Sequence, residues 1–369
     1  MLITTVLVFL LILSILVLIH ELGHFVAAKK LGIKVEEFGF GLPPRIWGVK
    51  KGETTYSVNW LPIGGFVKLF GEEGEDGDGE VIQNSKLKND NRAFYGRPIW
   101  QRVVVLTAGV VMNFLLGVFI LSFLFTQGVM VPTKRVHIEK VVSGSPAEMV
   151  GLKNGDVIKT ILIEEDIDKF REIEIDSLTK LSETTREFLG KTITLVVLRG
   201  QEQMSIDIMP RVDYSKDEGP MGIVISNYEE KKYSLWEAPI YGTKEAMLLT
   251  YELVKGIGTT LWKLISFQPV AKDVAGPIGI AQLTGEAVKF GRMAVLELLG
   301  ILSLNLAIVN ILPFPALDGG RLLFVVIEGT TGRKIKATWE RLVHQIGMVI
   351  LLSLLVLVTI NDLVRILSK

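Results

Sequence analysis

The chain has 369 residues, 49% of them hydrophobic, with 40 basic residues against 40 acidic ones and no cysteine. A mean hydropathy of +0.41 is too apolar for a water-soluble enzyme of this length and makes a lipid bilayer part of the solvent. The balanced charge argues against nucleic acid as a partner, and the lack of cysteine excludes disulfides, thiolate metal sites and cysteine nucleophiles, so a bound metal must rest on His, Asp or Glu.

The first expected span covers residues 2–28: nearly every residue from Leu2 to Ile19 is apolar, and the run resumes after a short polar break. No basic residue precedes it, and the break reads His20-Glu21-Leu22-Gly23-His24 rather than a small-residue cleavage site, so a membrane helix is expected and not a removable signal peptide. Residues 36–50 and 53–70 are rich in glycine, aromatic and β-branched residues with Pro43, Pro44 and Pro62 as breaks, which predicts short strands and turns. Residues 71–80 set six acidic residues among glycines and read as a solvated linker, because they lack the spacing of a calcium loop. A second span is expected over 102–126, closing an N-terminal membrane core of residues 1–127.

Hydropathy then falls over residues 128–227, where strand-like runs predict a separate α+β domain outside the membrane. Residues 228–293 form an amphipathic helical linker. Trp236, Ile240, Met247, Leu248, Tyr251, Leu261, Trp262 and Ile265 have helical spacing, and Gly256 and Gly258 interrupt it, which predicts a broken helix pair on the outer membrane surface. The C-terminal membrane core, 294–369, carries spans over 294–312 and 345–360. The expected fold is a polytopic α-helical membrane protein of four transmembrane helices, a membrane-associated β-hairpin region and an inserted α+β domain. Lys29, Lys30, Lys34, Arg92, Arg97 and Arg102 flank the first loop, and Arg321, Arg333, Lys334 and Lys336 the last, so both loops are expected to be cytoplasmic and both termini and the inserted domain extracytoplasmic.

His20 and His24 lie four apart, so on a helix both imidazoles share a face and can bind one Zn²⁺ while Glu21 reaches a water there as general base. The competing reading is a pair of polar residues near a helix end, but three ionisable groups in an apolar segment are costly without a function. A catalytic zinc takes a third protein ligand, and Asp318 is the best candidate because it follows an apolar helix broken by Pro313 and Pro315. A helix-ending turn with a solvated Asp318 is the alternative.

The His20 to His24 motif, the segment Asn310-Ile-Leu-Pro-Phe-Pro-Ala-Leu-Asp318-Gly-Gly and the Gly39-Phe40-Gly41 triplet resemble the site-2 protease family, in particular bacterial regulator-of-sigma-E-type intramembrane metalloproteases. The likeness extends over essentially the whole chain. Ser145-Pro146-Ala147, Gly151-Leu152 and Gly155-Asp156-Val157-Ile158 resemble a PDZ domain, in one copy where some members of the family carry two. The resemblance implies a bacterial inner-membrane protease with zinc on His20, His24 and Asp318, Glu21 catalytic, the active site near the cytoplasmic side, substrate contacts from Asn305 and Asn310, and a reentrant β element containing Gly39, Phe40 and Gly41. Its implied substrates are single-pass transmembrane proteins, anti-sigma factors or remnant signal peptides. Val110 stands where members often have a proline, which touches helix packing and no ligand.

A transmembrane helix hides its carbonyls in its own hydrogen bonds and must be unwound, so an exposed strand edge is expected to take up the extended substrate; the candidates are Gly39-Phe40-Gly41 and residues 54–69. Rival readings are a non-proteolytic PDZ scaffold, an ion-handling membrane protein, and a membrane-anchored quality-control metalloprotease. No Gly-x-x-x-x-Gly-Lys-Ser/Thr loop is present, so nucleotide is not expected as a partner.

Overall fold

A computed structural model describes residues 2–72, 91–166, 169–215, 218–266, 276–333, 335 and 337–367. The acidic stretch expected to be a solvated linker lies, beyond residue 72, outside the described residues. The chain divides into two compact units, one formed by Met1–Thr126 with Ser234–Lys369 and the other by Gln127–Tyr233.

The first unit opens with helix α1 (Leu2–Lys30), 29 residues long. At 1.5 Å per residue such a helix measures about 43 Å, more than a bilayer core of roughly 30 Å. Strands β1 (Val35–Lys51) and β2 (Thr54–Leu69) follow as an antiparallel pair. They are long, bent strands rather than the expected short ones, because each is used twice. Residues 37–40 of β1 pair with 55–58 of β2 on one side and with 65–68 on the other, while 45–51 of β1 pair with the far side of 54–59. The order across this small sheet is therefore 45–51, 54–59, 37–40, 65–68. Helix α2 (Ile99–Gln127) completes the N-terminal part.

The second unit is built of strands β3 (Val129–Val141), β4 (Val157–Asp166), β5 (Lys169–Glu174), β6 (Ile193–Arg199), β7 (Glu202–Ile208) and β8 (Ile223–Lys231), with short helices α3 (Pro146–Met149) and α4 (Leu178–Glu187). The sheet order is β7-β6-β4-β3-β8, with β5 paired to β4. Val136, Ile138, Ile158, Ile161, Leu195 and Val197 supply a fully buried core, from alternate positions on β3 and β6 and across an irregularity in β4 between Ile158 and Thr160. Ser145 and Ser177 cap the two helices by accepting from the amides of Glu148 and Lys180. Arg199 donates to both carboxylate oxygens of buried Asp156, at 2.8 and 2.7 Å, joining β6 to the turn before β4. Burial works against ionisation of Asp156, and the guanidinium overcomes it, holding the carboxyl below its ordinary range.

The remainder of the first unit is helical: α5 (Ala238–Ile265), α6 (Pro277–Phe290), α7 (Arg292–Ile311), α8 (Asp318–Thr331) and α9 (Ala337–Leu367). Helix α5 runs unbroken through Gly256 and Gly258, contrary to the expected break. Two glycines cost roughly 1 kcal/mol each in a helix interior, too little to interrupt 28 residues of consistent amphipathic spacing. Among the described residues four helices are long and apolar enough to cross a membrane: α1, α2, α7 and the stretch Thr338–Arg365 of α9. Asp362 of α9 is fully buried and accepts from the Gly279 amide at 2.8 Å, which ties α9 to the first turn of α6.

Candidate metal centre

The α-helical period places His20 and His24 one turn apart on the buried face of α1. Their counterpart arrives from the break between α7 and α8. Pro313 and Pro315 have no amide hydrogen and end α7. The chain turns through Ala316, whose φ is +73°, and restarts as α8 at Asp318. Asp318 Oδ2 lies 2.9 Å from Nε2 of His20 and 3.2 Å from Nε2 of His24, and the two Nε2 atoms are 3.2 Å apart.

This triangle matches what a zinc ion asks of a protein. Ligands at about 2.0–2.1 Å in tetrahedral array stand roughly 3.3 Å from one another. The outer ring atoms also suit a metal. His24 Nδ1 donates to the Val105 carbonyl of α2 at 2.8 Å, which keeps its proton on Nδ1 and the Nε2 lone pair inward. His20 Nδ1 faces the fully buried Asn113 side chain, with Nδ2 at 3.3 Å, while Asn113 Oδ1 has no partner among the described residues. Rotating that amide end for end brings Oδ1 to His20 Nδ1, where it accepts the ring proton and frees Nε2 in the same way. Burial opposes ionisation of Asp318, and the two imidazoles outweigh it, holding the carboxyl below its usual range.

Glu21 sits beside the triangle rather than in it. It lines a cavity of about 200 Å³ together with His24, Phe66, Val67, Asp318 and Arg321. One wall of that cavity is the outer segment of the β1–β2 sheet, and Gly65 at its start passes against Glu21. Arg321 pairs with Glu72, and Arg102 of α2 pairs with Glu328 of α8 at 2.7 Å with both side chains buried, so the helix that begins at Asp318 is pinned to α2.

Of the residues singled out from sequence, His20, Glu21, His24 and Asp318 come together. Asn310 joins them, its Nδ2 3.3 Å from His20 Nε2. Asn305, half-buried and five residues earlier on α7, has no hydrogen bond to the cluster among the described residues. Gly39 and Phe40 do not form an open edge, because both are paired on two sides, and Asn59 donates to the carbonyls of Phe40 and Gly41 at 3.3 and 3.1 Å. The sheet's edges are 45–51 and 65–68, and the second, which belongs to the other stretch singled out, 54–69, lies beside the cavity. Sequence reading passed over Asn113, the Val105 carbonyl and Gly109. The last carried a usable signal, since Gly109 and Asn113 are four apart on α2 and must share a face.

The family model for peptidase family M50 matches residues 8–354. The regulator of sigma-W protease RasP of Bacillus subtilis is 31% identical over 435 aligned positions that include 99% of each chain. The zinc metalloprotease RasP of Bacillus licheniformis is 32% identical over 433 positions, with 98% of this chain and 99% of the relative covered.

Proposed function

The chain belongs to peptidase family M50, and on that footing we propose that His20, His24 and Asp318 hold the zinc of an intramembrane protease in which Glu21 carries the proton. The enzyme is a zinc-dependent membrane endopeptidase, and its substrates are membrane proteins. The observation that carries the site assignment is the convergence of three donor atoms within 3.2 Å of one another from α1 and α8, with Glu21 on the adjoining cavity wall.

Bound zinc supplies an electrophile for the scissile carbonyl and makes a water acidic enough to attack near neutral pH. Glu21 accepts the proton of the attacking water and returns it to the departing amine nitrogen, so one carboxylate serves both halves of the hydrolysis. Asn310, beside His20, donates its amide hydrogen to the oxygen on which charge develops. Asn305 is assigned to substrate contacts farther along α7. Arg321 and the buried Arg102–Glu328 pair keep α8, and with it Asp318, in place.

We assign substrate unwinding to the edge 65–68. Its outer amides and carbonyls are unpaired within the sheet, and Phe66 and Val67 line the cavity with Glu21, so a segment added there lies against the reacting groups. Gly39, Phe40 and Gly41 form the strand that supports this edge. The substrates proposed are single-pass transmembrane proteins of the anti-sigma-factor or remnant-signal-peptide type. Residues 128–227 are proposed to be a single PDZ domain: β8 is an edge strand with α4 packed beside it, an arrangement that accepts an extended peptide. The termini and this domain are placed outside a bacterial inner membrane and the β1–β2 sheet on the cytoplasmic side, from the Lys and Arg distribution. Helix α5 exposes Trp236 just ahead of it and Ile240, Met247, Tyr251 and Trp262 along it, and is assigned to the outer lipid surface.

The test is cleavage of a single-pass transmembrane peptide by the purified chain in detergent, with the products mapped by mass. A cut within or at the edge of the apolar segment, abolished by Glu21→Gln, is expected. Cleavage only of soluble unfolded protein would favour the quality-control reading.

A further inference from the structure

The turn that delivers Asp318 has few means of holding its own shape. Pro313 and Pro315 give no amide hydrogens, and Ala316 is the one residue other than glycine with a positive φ among the described residues, a region that L-residues avoid. Its internal bonds are the Phe314 amide to the Leu312 carbonyl and the Leu317 amide to the Phe314 carbonyl. A strained residue persists only where its surroundings over-determine it.

Helix α9, which contributes nothing to the metal triangle, supplies that constraint. The Ala316 amide donates to Nδ1 of His344 at 2.8 Å. One turn on, Gly347 lies so close to Pro315 that a β-carbon there would overlap the proline ring, so α9 sits directly on the turn. The His344 ring also packs at 5.7 Å from Phe324 of α8. Because Nδ1 accepts, the imidazole is a fixed acceptor wedged between the turn and the helix that Asp318 begins.

We propose that His344 is a positioning residue for the third metal ligand: its Nδ1 holds Ala316 in the left-handed region, and this conformation aims Asp318 at His20 and His24. The inference rests on the reading of Asp318 as a ligand. Loss of the acceptor lets Ala316 relax to negative φ, rotates the entry to α8 and opens the triangle. Glycine at 316 adopts positive φ without strain, so it makes the acceptor dispensable.

The experiment measures zinc retention of the purified full-length chain against a competing chelator. His344→Phe keeps the ring against Phe324 but has no acceptor, His344→Asn restores an acceptor, and Ala316→Gly is added to His344→Phe. Asp318→Asn is run alongside. We expect His344→Phe to weaken zinc retention about tenfold, in the range of lost outer-shell partners, His344→Asn to recover most of it, and the Ala316→Gly double variant to recover most of it. If Asp318→Asn loses zinc but His344→Phe holds it as the native chain does, the inference fails and the ligand assignment stands. A loss in His344→Phe that Ala316→Gly does not relieve also overturns it, because a packing defect gains nothing from glycine. Native zinc retention in Asp318→Asn removes the ligand reading itself and the inference with it.

Discussion

A β-carbon on Gly109 would overlap the Nε2 atom of His24 and crowd the ring of His20. The two histidines thus rest on bare backbone of α2, and the helix crossing that makes the site depends on the absence of a single methyl group. Gly109→Ala should push both imidazoles off the triangle and weaken zinc binding at least about tenfold, while the chain still inserts and folds. Zinc analysis after dialysis checks this; native zinc content would show that the crossing is looser than the geometry requires.

Asn113 is predicted to orient His20 through its carbonyl oxygen. Asn113→Leu should reduce zinc affinity by about tenfold to a hundredfold, and Asn113→Asp, which keeps an acceptor, should lose much less. Equal losses in the two variants would mean that Asn113 matters for packing and not for the ring proton.

Proline on the open edge separates substrate handling from metal binding. Adjacent amides of a strand point to opposite sides, so of Phe66→Pro and Val67→Pro one removes an outward donor and the other an amide bonded to β1. The outward one should cut cleavage of a helical transmembrane substrate by roughly fivefold to tenfold, about one hydrogen bond's worth, with zinc occupancy unchanged. Substrates with a glycine or proline near the cut should be less affected. Undiminished cleavage in both variants would remove strand addition from the account.

The Asp156–Arg199 pair gives the second unit a pH dependence. Asp156 is depressed in the folded state, so its stabilisation is complete above the unfolded value of about 3.9 and is lost as pH falls below that value toward the folded one. Pepsin, active throughout that window, should begin to cut within residues 127–233 as the pH drops. Arg199→Leu leaves the Asp156 carboxylate buried without its cation and should destabilise the unit at neutral pH, which makes cutting start at higher pH. An unchanged onset would show that the pair is neutral in energy.

Much of the candidate site was legible in the sequence because it is written in local periods. His20 and His24 share a face by the helical repeat, and Asp318 stands out because two prolines break an apolar helix just ahead of it. The four candidate spans among the described residues follow from hydropathy alone. What escaped depends on contacts between elements far apart in the chain. Nothing local shows that residues 37–40 pair on both sides, so Phe40 stands as a candidate edge beside residues 54–69, of which only 65–68 lies on the sheet's rim. Asn113 and His344 earn their places only through packing of α2 and α9 against the site, 93 and 28 residues from their partners His20 and Ala316. Gly256 and Gly258 misled in the opposite direction, as local breakers overridden by the amphipathic run of α5.

The chain has no cysteine, so single cysteines can report topology in cells without a background. Lys140→Cys on β3 should react with a membrane-impermeant maleimide applied from outside, and Lys51→Cys at the end of β1 should react only after permeabilisation; both side chains are exposed. The reverse pattern would invert the proposed orientation.

The most direct measurement of the central claim is zinc content and transmembrane-substrate cleavage on the same preparations of the native chain, Glu21→Gln and Asp318→Asn. The native chain should hold about one zinc and cleave the substrate, as expected of a three-ligand catalytic site. Glu21→Gln should keep native zinc without cleavage, and Asp318→Asn should lose both. Full zinc and full activity in Asp318→Asn, or cleavage surviving in Glu21→Gln, would contradict the claim.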